Sequence, residues 1–199
     1  MQPYEVSTIQ VPVENIGRYY PSIVVLVVTR DKRGRANIMP AGYSTKVSSE
    51  PPMVAVGIKP ERYSHESIED QGEFVLAVPT KEILSKLNYC GSHSGKDIDK
   101  FKETGLTSVP AKVIRAPLIR ECAINLECSV AGKMRTGSHT LFIGKIVAVH
   151  VRRDFLDDKC DLNMDKAALL ISHGEEYRVV GNILGTRSSL DSRSTKTQF

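Results

Sequence analysis

The stretch from Asn37 to Ser64, NIMPAGYSTKVSSEPPMVAVGIKPERYS, constrains this chain more than any other. It reads as a polar loop dense in small residues, a Pro51-Pro52 step, a buried strand, and a cap that opens a helix. Ala41, Gly42, Ser44, Thr45, Ser48 and Ser49 let a backbone approach a flat ligand closely, and their hydroxyl and N–H groups can donate to ring nitrogens and phosphate. In MVAVGIK, two-residue alternation sets Val54, Val56 and Ile58 on one face and Met53, Ala55 and Gly57 on the other. The second face leaves room for a ring.

Ser64 suits a helix N-cap, with Glu66 in the first turn where a carboxylate complements the dipole. Taken alone this is a capped surface helix. Lys59, Arg62 and the free N–H groups of the helix start also converge on one place, an arrangement that binds phosphate.

The remaining chain alternates short apolar runs with turns. Ile23–Thr29 is a β-branched run long enough for a strand buried on both faces, and Asp31–Arg35 turns it into a hairpin. Phe74–Val78 reads as a strand, after which Thr80 caps a helix carrying Ile83, Leu84 and Leu87. Asn88–Ser92 interrupts that helix, His93–Lys96 forms a glycine- and serine-bearing loop, and Asp97–Glu103 is a second short helix. By itself such a loop is a connector. Glu121–Val130 alternates as a half-buried strand with Cys122 and Cys128 on its apolar face, where cysteines act as small hydrophobes. Gly132–Ser138 is a basic loop into a long strand, Thr140–Val151, with Leu141, Ile143, Val147, Val149 and Val151 on one face. Asp165 caps a helix over Lys166–Ser172 that stops at Gly174, and Tyr177–Val180 is a final strand. Five or six alternating strands without a βαβ rhythm predict a mainly β antiparallel barrel with short helices, one domain over residues 1–184, and a polar tail over 185–199.

Composition narrows the function. At 199 residues, 41% apolar and 25% charged, the chain has the make-up of a soluble globular protein with a full core. Its formal charge of +4 comes without a block of like charge before the tail, which gives nucleic-acid binding no support and leaves an anionic small ligand open. The N-terminus lacks a signal pattern, and no apolar run nears the roughly 20 residues that cross a bilayer. A cytoplasmic location without a membrane partner is expected. The four cysteines have no C-x-x-C spacing and read as free thiols, with disulfides between distant pairs left open. The five histidines lack metal-ligand spacing, so no metal is expected. No G-x-G-x-x-G, G-x-S-x-G or H-E-x-x-H anchors a Rossmann, hydrolase or zinc-enzyme reading.

The order N-x-x-x-A-G-Y-S-T, S-x-x-P-P-M-V-A-V-G-I-K-P, FVLAVP, CGSHSGKDIDKF, APLIRECAINLECSV and HTLFIGKIVAVHV resembles the flavin reductase-like family across roughly residues 16 to 182. The resemblance implies an FMN-binding split β-barrel of antiparallel Greek-key type, usually a homodimer. It implies isoalloxazine contacts from Asn37, Ala41, Gly42, Tyr43, Ser44 and Thr45, with Ser48 nearby. Phosphate contacts are implied for Lys59, Arg62, Tyr63 and Ser64, with Asn88, Cys90, Gly91, Ser92 and Lys96 closing the site. The implied activity is electron transfer from NAD(P)H, or from a reduced partner protein, through FMN to free flavin, ferric iron or a redox protein. Members using NAD(P)H often carry Gly-Asp-His before the last long strand. Here Gly137-Ser138-His139 keeps the histidine, a candidate contact for nicotinamide or flavin or a surface residue at a strand start, and lacks the aspartate. A flavin module for storage or sensing, without turnover, is the alternative. A more distant split-barrel relation would oxidise an amine or bind haem.

Overall fold

The structure, a computed structural model, describes residues 9–181 and residue 183. After β1 (Ser22–Ile23), β2 (Val25–Arg30) turns at Asp31, whose Oδ1 accepts from the N–H groups of Arg33 (2.9 Å) and Arg35 (2.8 Å), and returns as β3 (Ala36–Ala41). The predicted hairpin is therefore present. Next come β4 (Ser44–Ser49), β5 (Pro52–Ile58), α1 (Tyr63–Gln71), β6 (Glu73–Val78) and α2 (Leu84–Ser92). A short α3 (Lys100–Thr104) leads to the small pair β7 (Ser108–Val109) and β8 (Leu118–Ile119). The long strands β9 (Ile124–Thr136) and β10 (His139–Val151) follow, then α4 (Met164–Ala167), β11 (Leu170–His173) and β12 (Glu176–Val179).

Seven strands form one antiparallel sheet in the order β3-β2-β6-β9-β10-β5-β4, and β1-β11-β12 make a small second one. The hairpins β2-β3 and β4-β5 thus occupy opposite edges, and β3 comes back alongside β5. The sheet curls into a barrel with a seam. Inside it Val25, Val27, Val56, Phe74, Leu76, Cys128 and Phe142 form one core. Outside it Val24, Leu26, Val28, Ile38, Val75 and Ala77 pack against Leu87, Phe101 and Ile119 in a second. Alternate residues of β2 and β6 belong to different cores, which is why both strands read as continuous apolar runs. Gly144 lets the Phe74 ring cross β10, since a Cβ there would lie 2.6 Å from Phe74 Cζ.

Several boundaries differ from the sequence expectation. Most of the stretch read as a loop is β3 and β4, terminal strands that lack an alternating apolar pattern. Asn88–Ser92 does not interrupt α2 but forms its last turn, where Ser92 Oγ donates to the Asn88 and Tyr89 carbonyls (both 3.1 Å). The helix expected from Asp97 starts only at Lys100, where Asp99 caps it by accepting from Lys102 N at 3.2 Å. Asn163 caps a four-residue α4, and Leu170–His173 pairs as β11 rather than continuing a helix. Gly174, at φ +60, serves the turn between β11 and β12. The basic segment before β10 is largely strand, because β9 runs on to Thr136. Asn125 and Glu127, expected on an open face of β9, are buried. On β10 the core face carries Thr140 and Phe142, whereas Val149 and Val151 point outward beyond two register shifts. The expected tail over 185–199 lies outside the described residues.

Candidate functional site

Three clefts gather most of the expected site residues, and the first and third of them meet at Tyr63. The most enclosed, about 270 Å³, lies between Asn37 and Met39 of β3, Arg62–Ser64 at the start of α1, and Cys90–Gly95 at the end of α2 and just beyond it. Tyr63 and Ser64 are the first residues of α1, and their N–H groups have no preceding turn to donate to. Arg62, with extended backbone, holds the cap position that sequence gave to Ser64. Ser64 is instead fully buried, its Oγ accepting from Asn37 Nδ2 at 2.9 Å. Asn37 Oδ1, also buried, has no hydrogen-bond partner. A buried carbonyl oxygen left so costs about 1–3 kcal/mol, a cost that a donor entering the cleft removes. Gly95 closes over this amide, and a Cβ there would fall on Asn37 Oδ1.

The floor holds a residue that sequence reasoning missed. Lys100 is only 3% exposed, and its Nζ donates to Ile38 O and Cys90 O, each at 2.7 Å. Burial lowers its pKa, with Arg62 adding to the effect. The available signal was Lys100 beside the apolar anchor Phe101, which places its stem in the core. Burial pushes the neighbouring Cys90 thiol up to about 11, so this sulfur lines the cleft as a neutral group and not a nucleophile.

The second cleft, about 450 Å³, is bounded by Tyr20–Ile23, Gly42–Thr45, Ala55 and Leu141. The room expected beside the small face of β5 is filled at Gly57, where a Cβ would stand 3.2 Å from Tyr43 Cβ and 3.8 Å from His139 Cβ, and of that face Ala55 alone borders the cleft. Tyr43 and His139 meet edge to face at 4.9 Å, and Ser138 Oγ lies 2.8 Å from His139 Nδ1. Burial, then nearby Lys59, lowers the His139 pKa and favours neutral imidazole.

Beyond Tyr63 a third cleft of about 460 Å³ is lined by Asp31, Lys32, Arg35, Glu66, Asp70 and Lys96. The Tyr63 hydroxyl donates to Asp31 Oδ2 (2.5 Å) and accepts from Arg35 (2.6 Å). Burial would raise Asp31, but the Tyr63 hydroxyl and the N–H groups of Arg35 and Arg33 outweigh it and bring its pKa to about 2.

The expected site residues therefore divide. Asn37, Arg62, Tyr63, Ser64, Cys90, Gly91 and Ser92 meet in the first cleft, and Gly42, Tyr43, Ser44 and Thr45 in the second. Ala41, at the end of β3, packs against the barrel core. Lys59 does not converge with Arg62: it is absent from the first cleft and reaches Glu61 at 3.9 Å. Lys96 belongs to the third cleft, pairing with Glu66 at 3.5 Å. Ser48 on β4 and Asn88 on α2 line none of these clefts. All four cysteines are free thiols, and no group of metal-ligating side chains occurs among the described residues. No helix among them is long and apolar enough to cross a membrane.

A family model for the flavin reductase like domain matches residues 16–180. An uncharacterised protein of Archaeoglobus fulgidus is 37% identical over 158 residues, 79% of this chain and 88% of its own length. Flavoredoxin of Desulfovibrio vulgaris (Miyazaki F) superposes with a TM-score of 0.81 at 30% identity, covering 95% of this chain and 98% of that one. An FMN-binding protein from Thermus thermophilus gives 0.77 at 25% identity, covering 94% and 100%. The curled antiparallel sheet is the split barrel expected from the sequence.

Proposed function

Because the chain belongs to the flavin reductase-like family, whose chemistry is flavin redox chemistry, we propose that it is an FMN-dependent oxidoreductase. It passes electrons from a reduced nicotinamide, or from a reduced partner protein, to an acceptor such as free flavin, ferric iron or a redox protein. The observation that carries this reading is the first cleft, where the orphaned Asn37 oxygen, the Arg62 guanidinium and the free N–H groups of α1 face one space. Those groups fit a phosphorylated polyol, and the second cleft, bounded by Gly42–Thr45, Ala55 and Leu141, fits a flat ring. The Thermus thermophilus neighbour supports FMN as the flavin.

In this reading Arg62, Tyr63, Ser64 and Cys90–Ser92 hold the phosphate end. Gly42–Thr45 orient the ring, and neutral His139 with Tyr43 borders the ring's open side. Bound FMN supplies a centre that accepts and returns two electrons, so no protein side chain need act as a base. The flavin-binding unit spans residues 1–184, the protein works in the cytoplasm, and it is a homodimer. The exposed apolar residues of the second cleft, Tyr20 (70%), Ile23 (55%) and Tyr43 (64%), support pairing with a second copy.

The visible spectrum of the purified protein tests the reading. A band near 450 nm (approximate, from general flavin chemistry) and quenching of FMN fluorescence on titration are expected; colourless protein without quenching overturns it. A second reading, a flavin carrier without turnover of its own, draws on Ser138 standing where aspartate precedes the histidine in NAD(P)H-using members. Steady-state oxidation of NADH and NADPH with free FMN, ferric chelate and a one-electron dye separates the two.

A further inference from the structure

We propose that Lys100 is the phosphate-recognising cation of the first cleft, the residue by which the site distinguishes a phosphorylated flavin from an unphosphorylated one. This deepens the flavin reading and rests on it. The ammonium lies at the base of the cleft, held by two carbonyls that belong to different elements, Ile38 O of β3 and Cys90 O of α2. Those bonds use two of its three N–H donors, and Lys100 is also part of the cleft lining. Among the described residues no carboxylate forms a salt bridge with Lys100 or Arg62. Two uncompensated cations therefore share one small space with an unpartnered acceptor, Asn37 Oδ1.

A buried ammonium balanced only by carbonyl dipoles is costly unless an anion completes its environment. A terminal phosphate monoester does so, because its oxygens accept from the remaining Lys100 N–H, from Arg62 and from the first N–H groups of α1. The lysines named from sequence are poorly placed for this role, since Lys59 is turned toward Glu61 and Lys96 toward Glu66.

The test compares the dissociation constants of FMN and riboflavin, read by fluorescence quenching, in wild type and in Lys100→Met. Loss of a charged hydrogen bond predicts FMN binding weakened about 10- to 100-fold. Riboflavin binding is expected to change by no more than about twofold, well below that range. Equal weakening for both flavins would show that Lys100 only braces β3 against α2, and unchanged FMN binding would remove it from the site; either result overturns the proposal. If Lys100→Met does not fold, Lys100→Gln keeps two N–H donors without the charge, and the same criteria apply. Wild-type protein that binds neither flavin overturns the flavin reading itself and the proposal with it.

Discussion

Gly95 packs so closely over Asn37 that a methyl group on its Cα would displace the amide oxygen and stand 3.2 Å from Tyr63 Cδ1. Gly95→Ala therefore has to push the loop outward. The expected cost is about 1–3 kcal/mol in urea unfolding, together with weaker FMN binding in a fluorescence titration. Asp31 offers a second test at this scale. Its folded pKa, about 2, lies below the ordinary value of 3.8, so the unfolded chain binds more protons in between. Its contribution to stability is complete above pH 4 and disappears as pH falls toward 2. Asp31→Asn should flatten the stability profile across that window in acid titrations followed by circular dichroism. Sequence pointed to Arg62 and Ser64 because polar groups beside a predicted helix start are visible in one dimension, and to Asn37 only through the family resemblance. It could not supply Lys100, whose role depends on Ile38 and Cys90 meeting across the fold.

Among the elements, β9 shows how a polar residue can fix a loop. Glu127 is fully buried, and its carboxylate accepts from the N–H groups of Lys112 (2.7 Å), Val113 (2.7 Å) and Ile114 (3.0 Å) and contacts His150 Nε2 at 2.6 Å. Burial alone would raise its pKa, but those partners lower it on balance. The charge thus ties the segment between β7 and β8 to the sheet. Glu127→Ala leaves three N–H groups without an acceptor, and an unfolding free energy lower by about 3 kcal/mol or more is expected from urea denaturation. The alternation that marked β9 as a strand also assigned Glu127 to an open face. That inference failed because the segment at residues 112–114 covers this face, a long-range fact that periodicity does not encode. The edge strands β3 and β4 were hidden for a related reason: polar Asn37 and Pro40 interrupt the first and small polar residues fill the second, which leaves no apolar rhythm.

For the whole molecule, the apolar cleft at Tyr20, Ile23, Tyr43 and Leu141 leads to a prediction about assembly. Light scattering should give twice the 22.0 kDa chain mass, and Ile23→Glu should shift the population to monomer with its far-ultraviolet spectrum unchanged. A wild-type monomer at high concentration would remove the second copy from the account. The barrel class was readable because β2 and β6 consist of residues fit for burial on either side. How the sheet closes was not readable, because closure depends on hairpins separated in space and joined only through strand order.

Lys100 also bears on how these molecules keep apart. β3 is a terminal strand of the main sheet, and an ammonium occupies one of its carbonyls while α2 and α3 lie over it. Left bare, a margin of that kind would invite strangers to zip on, strand to strand, and to grow into aggregates. Here a buried charge stitches two helices over the hem and leaves no loose thread to seize.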